Sequence, residues 1–235
     1  MRQQLKNMLE LQESMNSRVH PNWRQQGYEW YRAIWVECAE LLDHYGWKWW
    51  KQQSPDIAQV NLELIDIWHF GLSYLLARNA DVDVVADELA GSLLAEGSLL
   101  AEGSLSVEDS LLAEGSLQPD LVESERGELD FRGDLEDFAL ETLRSRGFDT
   151  QGFARLMVGV NLSFDSLYKG YIGKNVLNFF RQDHGYKEGS YQKQWGDKED
   201  NEHLVELFQT LDASKASFQD DLYTALRSRY QSFMV

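Results

Sequence analysis

Two stretches long enough for helices are apolar almost throughout, yet each carries two carboxylates three residues apart. Residues 29–44 read "EWYRAIWVECAELLDH" and hold Glu37 and Glu40; residues 59–78 read "QVNLELIDIWHFGLSYLLAR" and hold Glu63 and Asp66. Residues i and i+3 share a helix face, so each pair can touch one object. Carboxylates among apolar side chains are costly unless something cationic neutralises them. The second helix is hydrophobic nearly all round, so its acids cannot be a solvated face. Packed antiparallel, two such helices bring four carboxylates together, and their repulsion is tolerable only around hard divalent cations. Oxygen-only ligands suit Mg²⁺ or Mn²⁺. The competing readings are surface decoration, which is what a lone ExxE usually is, and a di-iron site. Asp66 and His69 have the carboxylate–histidine spacing of the latter, but it needs a second such pair, and Glu40 with His44 is one residue too far apart.

The rest of the chain reads as helix too. No strand alternation survives a pass along it, which predicts an all-α bundle with no sheet. Helices are expected over 5–16, 29–44, 59–78, 134–146, 151–160, 163–183 and 217–233, with either Asp56 or the Ser54-Pro55 pair opening the third. Gly147, Gly185 and Gly189 are the expected stops or turns. At 235 residues the chain has length for one large domain or two small ones, and the expectation is a single catalytic domain over 1–235. The N-terminal stretch is too polar for a secretory signal, and the longest greasy run, "IWHFGLSYLL", is far short of the roughly 20 residues that span a bilayer. The single cysteine, Cys38, excludes an internal disulfide. A soluble, cytoplasmic protein is the expectation.

Residues 91–117 repeat a hexad, "GSLLAE GSLLAE GSLSVE DSLLAE GSL". Six residues advance a helix by about 600°, so successive Leu pairs step round the axis and never build one stripe. Adjacent leucines do not fit strand alternation, and four hexads are too few for a β-helix. The segment reads as an acidic low-complexity insertion, mobile or loosely helical, with no chemistry of its own. It lies within 81–141, where 18 Asp and Glu meet only Arg126 and Arg132 and account for −16 of the chain's −17. Outside that segment the chain is close to neutral, and 168–198 is net +3.

That basic segment runs into "YIGKNVLNFFRQDHGYKEGSYQKQWGDKEDN" over 171–201. Lys174, Asn178 and Arg181 fall at i, i+4 and i+7 on one helix face. A glycine-punctuated loop then offers Tyr186, Lys187, Tyr191 and Lys193. Cations, a phenol and exposed backbone N–H groups make a phosphate cradle. A net of +3 is slender for tracking a nucleic acid. Metal-binding acids plus a compact cationic patch point to a metal–triphosphate substrate.

On these pieces, with "LQESMN" and "ECAELLDHYGWKWWK", the chain resembles the dimeric, all-α dUTP diphosphatases of the all-α nucleotide pyrophosphohydrolase superfamily. The acid pairs alone fit the whole superfamily; the long basic motif is more specific. The resemblance implies that Glu37, Glu40, Glu63 and Asp66 bind Mg²⁺ ions that bridge the phosphates, with Glu40 also the general base for the attacking water. It places Lys174, Arg181, Tyr186, Lys187 and Lys193 on the phosphates, some reaching across from a second subunit, and Asn178 near the sugar or metal shell. It makes Gln12 and Asn16, at i and i+4, the readers of uracil, each amide offering a donor and an acceptor; the competing reading is ordinary exposed amides. His69 and Phe70 resemble the deoxyribose neighbours, although a satisfied core histidine is the alternative for His69. If 46–51 is helical, Trp47 and Trp50 share a face and are core anchors, while Trp49 closes over the base. Lys48 and Lys51 either add charge near the phosphates or are solvated. The function implied is hydrolysis of dUTP, and of dUDP, to dUMP by a homodimer. The alternatives are a sister enzyme acting on dCTP or another nucleotide, and a non-catalytic nucleotide-binding protein.

Overall fold

The computed structural model describes residues 1–94, 123–212, 215 and 217–233, and for 123–130 the backbone alone. The chain is all-α: α1 (Arg2–Val19), α2 (Trp30–Tyr45), α3 (Ile57–Arg78), α4 (82–94), α5 (Glu123–Ser145), α6 (Thr150–Gly159), α7 (Phe164–Asp183), α8 (Asp200–Phe208) and α9 (Phe218–Phe233), with a 3₁₀ turn at Trp23–Gln25. One small correction falls on the absence of sheet: Gln194–Trp195 and Lys198–Glu199 pair as a two-stranded antiparallel hairpin. Its turn is Gly196-Asp197, and Gly196 takes the positive φ of 69° that the first central position of a type II′ turn demands. Among the described residues no helix is long and apolar enough to cross a membrane.

The chain divides into two compact units. The first comprises Met1–Lys6 and Glu29–Ser163. In it α2 and α3 run antiparallel: Trp30 at the start of α2 meets Phe70 far along α3, whereas His44 at the end of α2 lies beside Glu63 near the start of α3. Asp56, not the Ser-Pro pair, opens α3, its side chain accepting from the Gln59 N–H. The core gathers on Trp68, stacked on Phe153 at 5.0 Å and edge-on to Phe148 at 5.9 Å. Gly71 lets α3 approach that cluster, since a Cβ there would lie 2.8 Å from the Phe148 ring. At the other end, Arg2 and Lys6 pair with Asp83 and Asp87 of α4. The hexads beyond residue 94 lie outside the described residues.

The second unit comprises Asn7–Tyr28 and Phe164–Val235. Its centre is Phe180 of α7, ringed edge-on by Tyr191, Trp195, Tyr223 and Tyr230. Gly185 and Gly189 both turn through positive φ after α7, as the sequence predicts. Helix α8 is opened by a capping box between Glu199 and Glu202.

Candidate functional site

Three of the four paired acids of α2 and α3 meet. Oxygen atoms of Glu37, Glu63 and Asp66 lie within 4.8 Å of one another. Helical geometry explains which acids are buried. Ile34, Cys38, Leu41 and Tyr45 form the buried stripe of α2, and Glu37 stands at its margin. Glu40, three residues on, is rotated about 60° further from the stripe and is exposed. It therefore lies outside the three-carboxylate group, although its charge acts on Glu37. Glu63 is 5% exposed, and Asp66 is half-buried.

Burial first, then the charges of Asp66, Glu63 and Glu40 and a hydrogen bond with Glu63, push the Glu37 carboxyl up to about 9. A divalent cation would replace that retained proton. Burial also pushes the Cys38 thiol up to about 12, so it is no thiolate at neutral pH. The donor set is thus oxygen from α2 and α3, which fits a hard divalent ion such as Mg²⁺ or Mn²⁺. His44 is the neighbour that sequence spacing missed: its Nε2 is 3.6 Å from Glu63 Oε1, too long for a hydrogen bond but close enough for a charge interaction when the ring is protonated.

The Glu37 shift has a consequence for stability. Between its ordinary value of 4.5 and about 9 the folded chain holds a proton that the unfolded chain has lost. Stability of the metal-free protein therefore falls as pH rises through that window, by up to about 1.4 kcal/mol per unit for one proton. Thermal unfolding in EDTA at pH 6 and pH 8.5 should show the fall, Mg²⁺ should restore the loss at pH 8.5, and Glu37→Gln should flatten the dependence. Equal slopes for wild type and Glu37→Gln would contradict it.

Beside the acids, His69 is buried, its carbonyl accepting from Ser73 Oγ at 2.9 Å, and Phe70 is half-buried against Trp30. The tryptophans require a correction. Gly46 ends α2 with φ 95°, and 46–56 is not helical. Trp47 and Trp50 are therefore not core anchors: they are 45% and 57% exposed, and Trp49 is 90% exposed. The loop is nonetheless tied down. Gln53 Oε1 accepts from the Trp47 and Lys48 N–H groups at 3.1 and 2.7 Å, Asp43 accepts from Trp47 Nε1 at 2.9 Å, and Arg132 donates to the Gly46 carbonyl at 2.9 Å. Lys48 pairs with Asp43, and Lys51 is exposed.

In the second unit, Gln12 and Asn16 are buried, not surface amides, at 4% and 7% exposure. Gln12 and Asn16 are joined side chain to side chain at 3.1 Å. The Tyr171 hydroxyl lies 2.9 Å from the Gln12 amide and 2.8 Å from the Met8 carbonyl. Lys174, Asn178 and Arg181 gather as their spacing predicts, around two residues the sequence did not single out. Asn201 Oδ1 accepts from Lys174 Nζ at 2.8 Å and from Arg181 Nη2 at 3.2 Å, and Asn178 Oδ1 accepts from Arg181 Nη1 at 3.2 Å. Asp200, wholly buried, accepts from Arg181 Nε and Nη2, both at 2.8 Å, and from Tyr191 OH at 2.8 Å. Burial alone would raise the Asp200 carboxyl, but the Arg181 fork and the Tyr191 hydroxyl hold it below the ordinary range. The only sequence signal for Asp200 was its place opening α8.

The remaining phosphate candidates are less drawn together. The Arg181 guanidinium lies 6.0 Å from the centre of the Tyr186 ring. Lys187 donates to the Val19 carbonyl at 3.0 Å, the end of α1, and Lys193 is exposed while its carbonyl accepts from the Asp200 N–H.

A family profile described as dUTPase matches residues 4–104. That span takes in Gln12, Asn16, both acid pairs and the tryptophan loop, and ends before the basic face of α7. No curated protein matches the chain. With helices throughout, and with Glu37, Glu63 and Asp66 of α2 and α3 converging inside the matched span, the chain is similar over residues 4–104 to the all-α dUTPase family, a likeness that supports dUTP hydrolysis.

Proposed function

We propose that the reaction is the divalent-metal-dependent cleavage of dUTP by water to dUMP and pyrophosphate, and of dUDP to dUMP and phosphate, with Mg²⁺ the working ion. The observation that carries this is the convergence of Glu37, Glu63 and Asp66 within 4.8 Å on two antiparallel helices inside the family-matched span. A bound divalent ion neutralises phosphate charge and the charge that builds on the leaving pyrophosphate. Glu37, Glu63 and Asp66 would hold it, and Glu40, exposed outside that group, would reach it as a fourth ligand from the solvent side. Glu40, exposed beside the buried acids, also accepts the proton of the attacking water as it forms its bond to phosphorus.

Lys174, with Arg181, Tyr186, Lys187 and Lys193, carries the phosphate charge in this reading, and Asn178 borders the sugar. Gln12 and Asn16 read the uracil edge, which alternates acceptor, donor, acceptor. His69 and Phe70 pack on the deoxyribose, and Trp49, on a loop tied down at both ends, covers the base. The enzyme acts as a homodimer, for which Trp35 and Val36, 44% and 45% exposed on α2, offer apolar area to a second copy.

The test is pyrophosphate release across a panel of deoxynucleoside triphosphates with Mg²⁺. Preference for dUTP by at least about a hundredfold over dCTP is expected, because the wrong donor pattern leaves buried amides unpaired. Equal or faster dCTP cleavage would move the enzyme to another substrate, and tight nucleotide binding without release would remove the catalytic reading. Glu40→Gln should lower turnover by about 10²–10⁴-fold while Mg²⁺-dependent binding of dUTP persists; a rate near wild type would remove Glu40 as base.

A further inference from the structure

Residues 46–51 hold three large rings out in solvent: Trp47, Trp49 and Trp50 are 45%, 90% and 57% exposed. Rings of that size ordinarily bury themselves on apolar surface. Here the backbone beneath them is fixed instead. Trp49 and Trp50 are the two central residues of a turn that the Lys51 N–H closes on the Lys48 carbonyl at 3.2 Å. Gln53 grips the entry to that turn, its Oε1 accepting from the Trp47 and Lys48 N–H groups at 3.1 and 2.7 Å. Two backbone N–H groups can only donate, so the amide oxygen is the end that faces them. Gly46 makes room for the grip: its φ is 95°, and a Cβ on it would lie 3.0 Å from Gln53 Cβ.

The rings brace one another in series. Asp43 accepts from Trp47 Nε1 at 2.9 Å, Trp50 meets Trp47 edge-on at 5.2 Å, and Trp49 meets Trp50 edge-on at 5.5 Å. At 90% exposure Trp49 is not held by the core, so the turn and Trp50 set its place. Without the Gln53 oxygen, water at this surface can satisfy the two N–H groups. The fold then loses little, but the turn is no longer kept in one conformation. Ordering even one backbone residue at the moment of binding lowers affinity by about tenfold.

We propose that Gln53 is a positioning residue for nucleotide binding: by clamping the Trp47 and Lys48 backbone it presets the Trp49 ring as a stacking platform before substrate arrives. This rests on the reading of Trp49 as the cover of the base. Stacking on an aromatic face tolerates any base. The clamp therefore governs affinity for nucleotides in general, and neither the choice between uracil and cytosine nor the metal chemistry.

Gln53→Met keeps the length of the side chain and removes the acceptor, whereas Gln53→Glu keeps an acceptor for both N–H groups. The experiment is steady-state kinetics with dUTP and with dCTP in Mg²⁺, together with the tryptophan exciton band that edge-on ring pairs give in circular dichroism without ligand. Gln53→Met is expected to raise KM for both nucleotides by about five- to tenfold, with kcat within about twofold of wild type and a weaker exciton band. Gln53→Glu should restore KM to within about twofold of wild type, and Trp49→Ala should raise it at least as far as Gln53→Met does. A wild-type KM in Gln53→Met beside an impaired Trp49→Ala would overturn the clamp and leave Trp49 as the cover. A fall in kcat with KM unchanged, or no rescue by glutamate, would overturn the clamp as well. A wild-type KM in Trp49→Ala would instead overturn the reading of Trp49 on which the clamp rests.

Discussion

Glu63→Gln should lower dUTP turnover by about a thousandfold or more and, in the same molecule, make the metal-free chain harder to unfold at pH 8. Both effects come from one charge. Glu63 is 5% exposed and stands within 4.8 Å of Glu37 and Asp66, so in the absence of a cation it is a source of repulsion and a reason that Glu37 retains its proton. The amide is of nearly the same size and keeps one acceptor, but it removes the negative charge. Relief of that repulsion stabilises the folded metal-free chain. With a metal the balance reverses, because several kcal/mol of charge stabilisation in the transition state depend on the ion being held, which is about a thousandfold in rate. Unfolding in EDTA and turnover in Mg²⁺, measured on one preparation, test both halves. A near-normal rate would contradict the metal reading, and loss of stability in EDTA would contradict the crowding that motivates it.

Asp200→Ala should destabilise the chain by about 3–5 kcal/mol, the usual cost of breaking a buried ion pair from one side. Asp200 is 0% exposed and the Arg181 side chain 11%, so the guanidinium left behind cannot turn fully to water. Tyr191, buried at 9% exposure, loses the acceptor of its hydroxyl at the same time. Asp200→Asn keeps the shape and one acceptor and should fall between wild type and alanine. Urea unfolding of the three proteins is the measurement; a loss below about 1 kcal/mol for alanine would show that Arg181 finds another partner.

The fold was largely legible because its helices announce themselves locally. Asp56 before an apolar 22-residue run, and glycines after α2 and α7, are signals a few residues long. Helix α8 went unread because nine residues, DNEHLVELF, give too little periodicity, though the Glu199 and Glu202 capping box marked its start. Gly46 was the warning against a helical tryptophan run: with φ 95° it ends α2, and the rings beyond it go to solvent.

In the candidate site, spacing was enough to put Glu37 with Glu63 and Asp66, and Lys174 with Arg181, because each set is fixed by helix geometry. Spacing alone did not tell which member of a pair is buried. The turn of about 60° that separates Glu40 from Glu37 matters only once the buried stripe of α2 is known. Partners that meet through the fold carry no local mark: Asp200 is 19 residues from Arg181.

In the proposed reaction Glu37, Glu63 and Asp66 together hold an ion that none could hold alone. A crystal of the wild-type protein grown with Mg²⁺ and a dUTP analogue carrying an imido bridge between the α and β phosphorus atoms tests this directly. The expected result is a Mg²⁺ ion bonded to oxygens of Glu37, Glu63 and Asp66 at about 2.0–2.1 Å while also touching the analogue's phosphates. Side chains of Glu37, Glu63 and Asp66 parted from one another, with the ion held by phosphate alone, would contradict it.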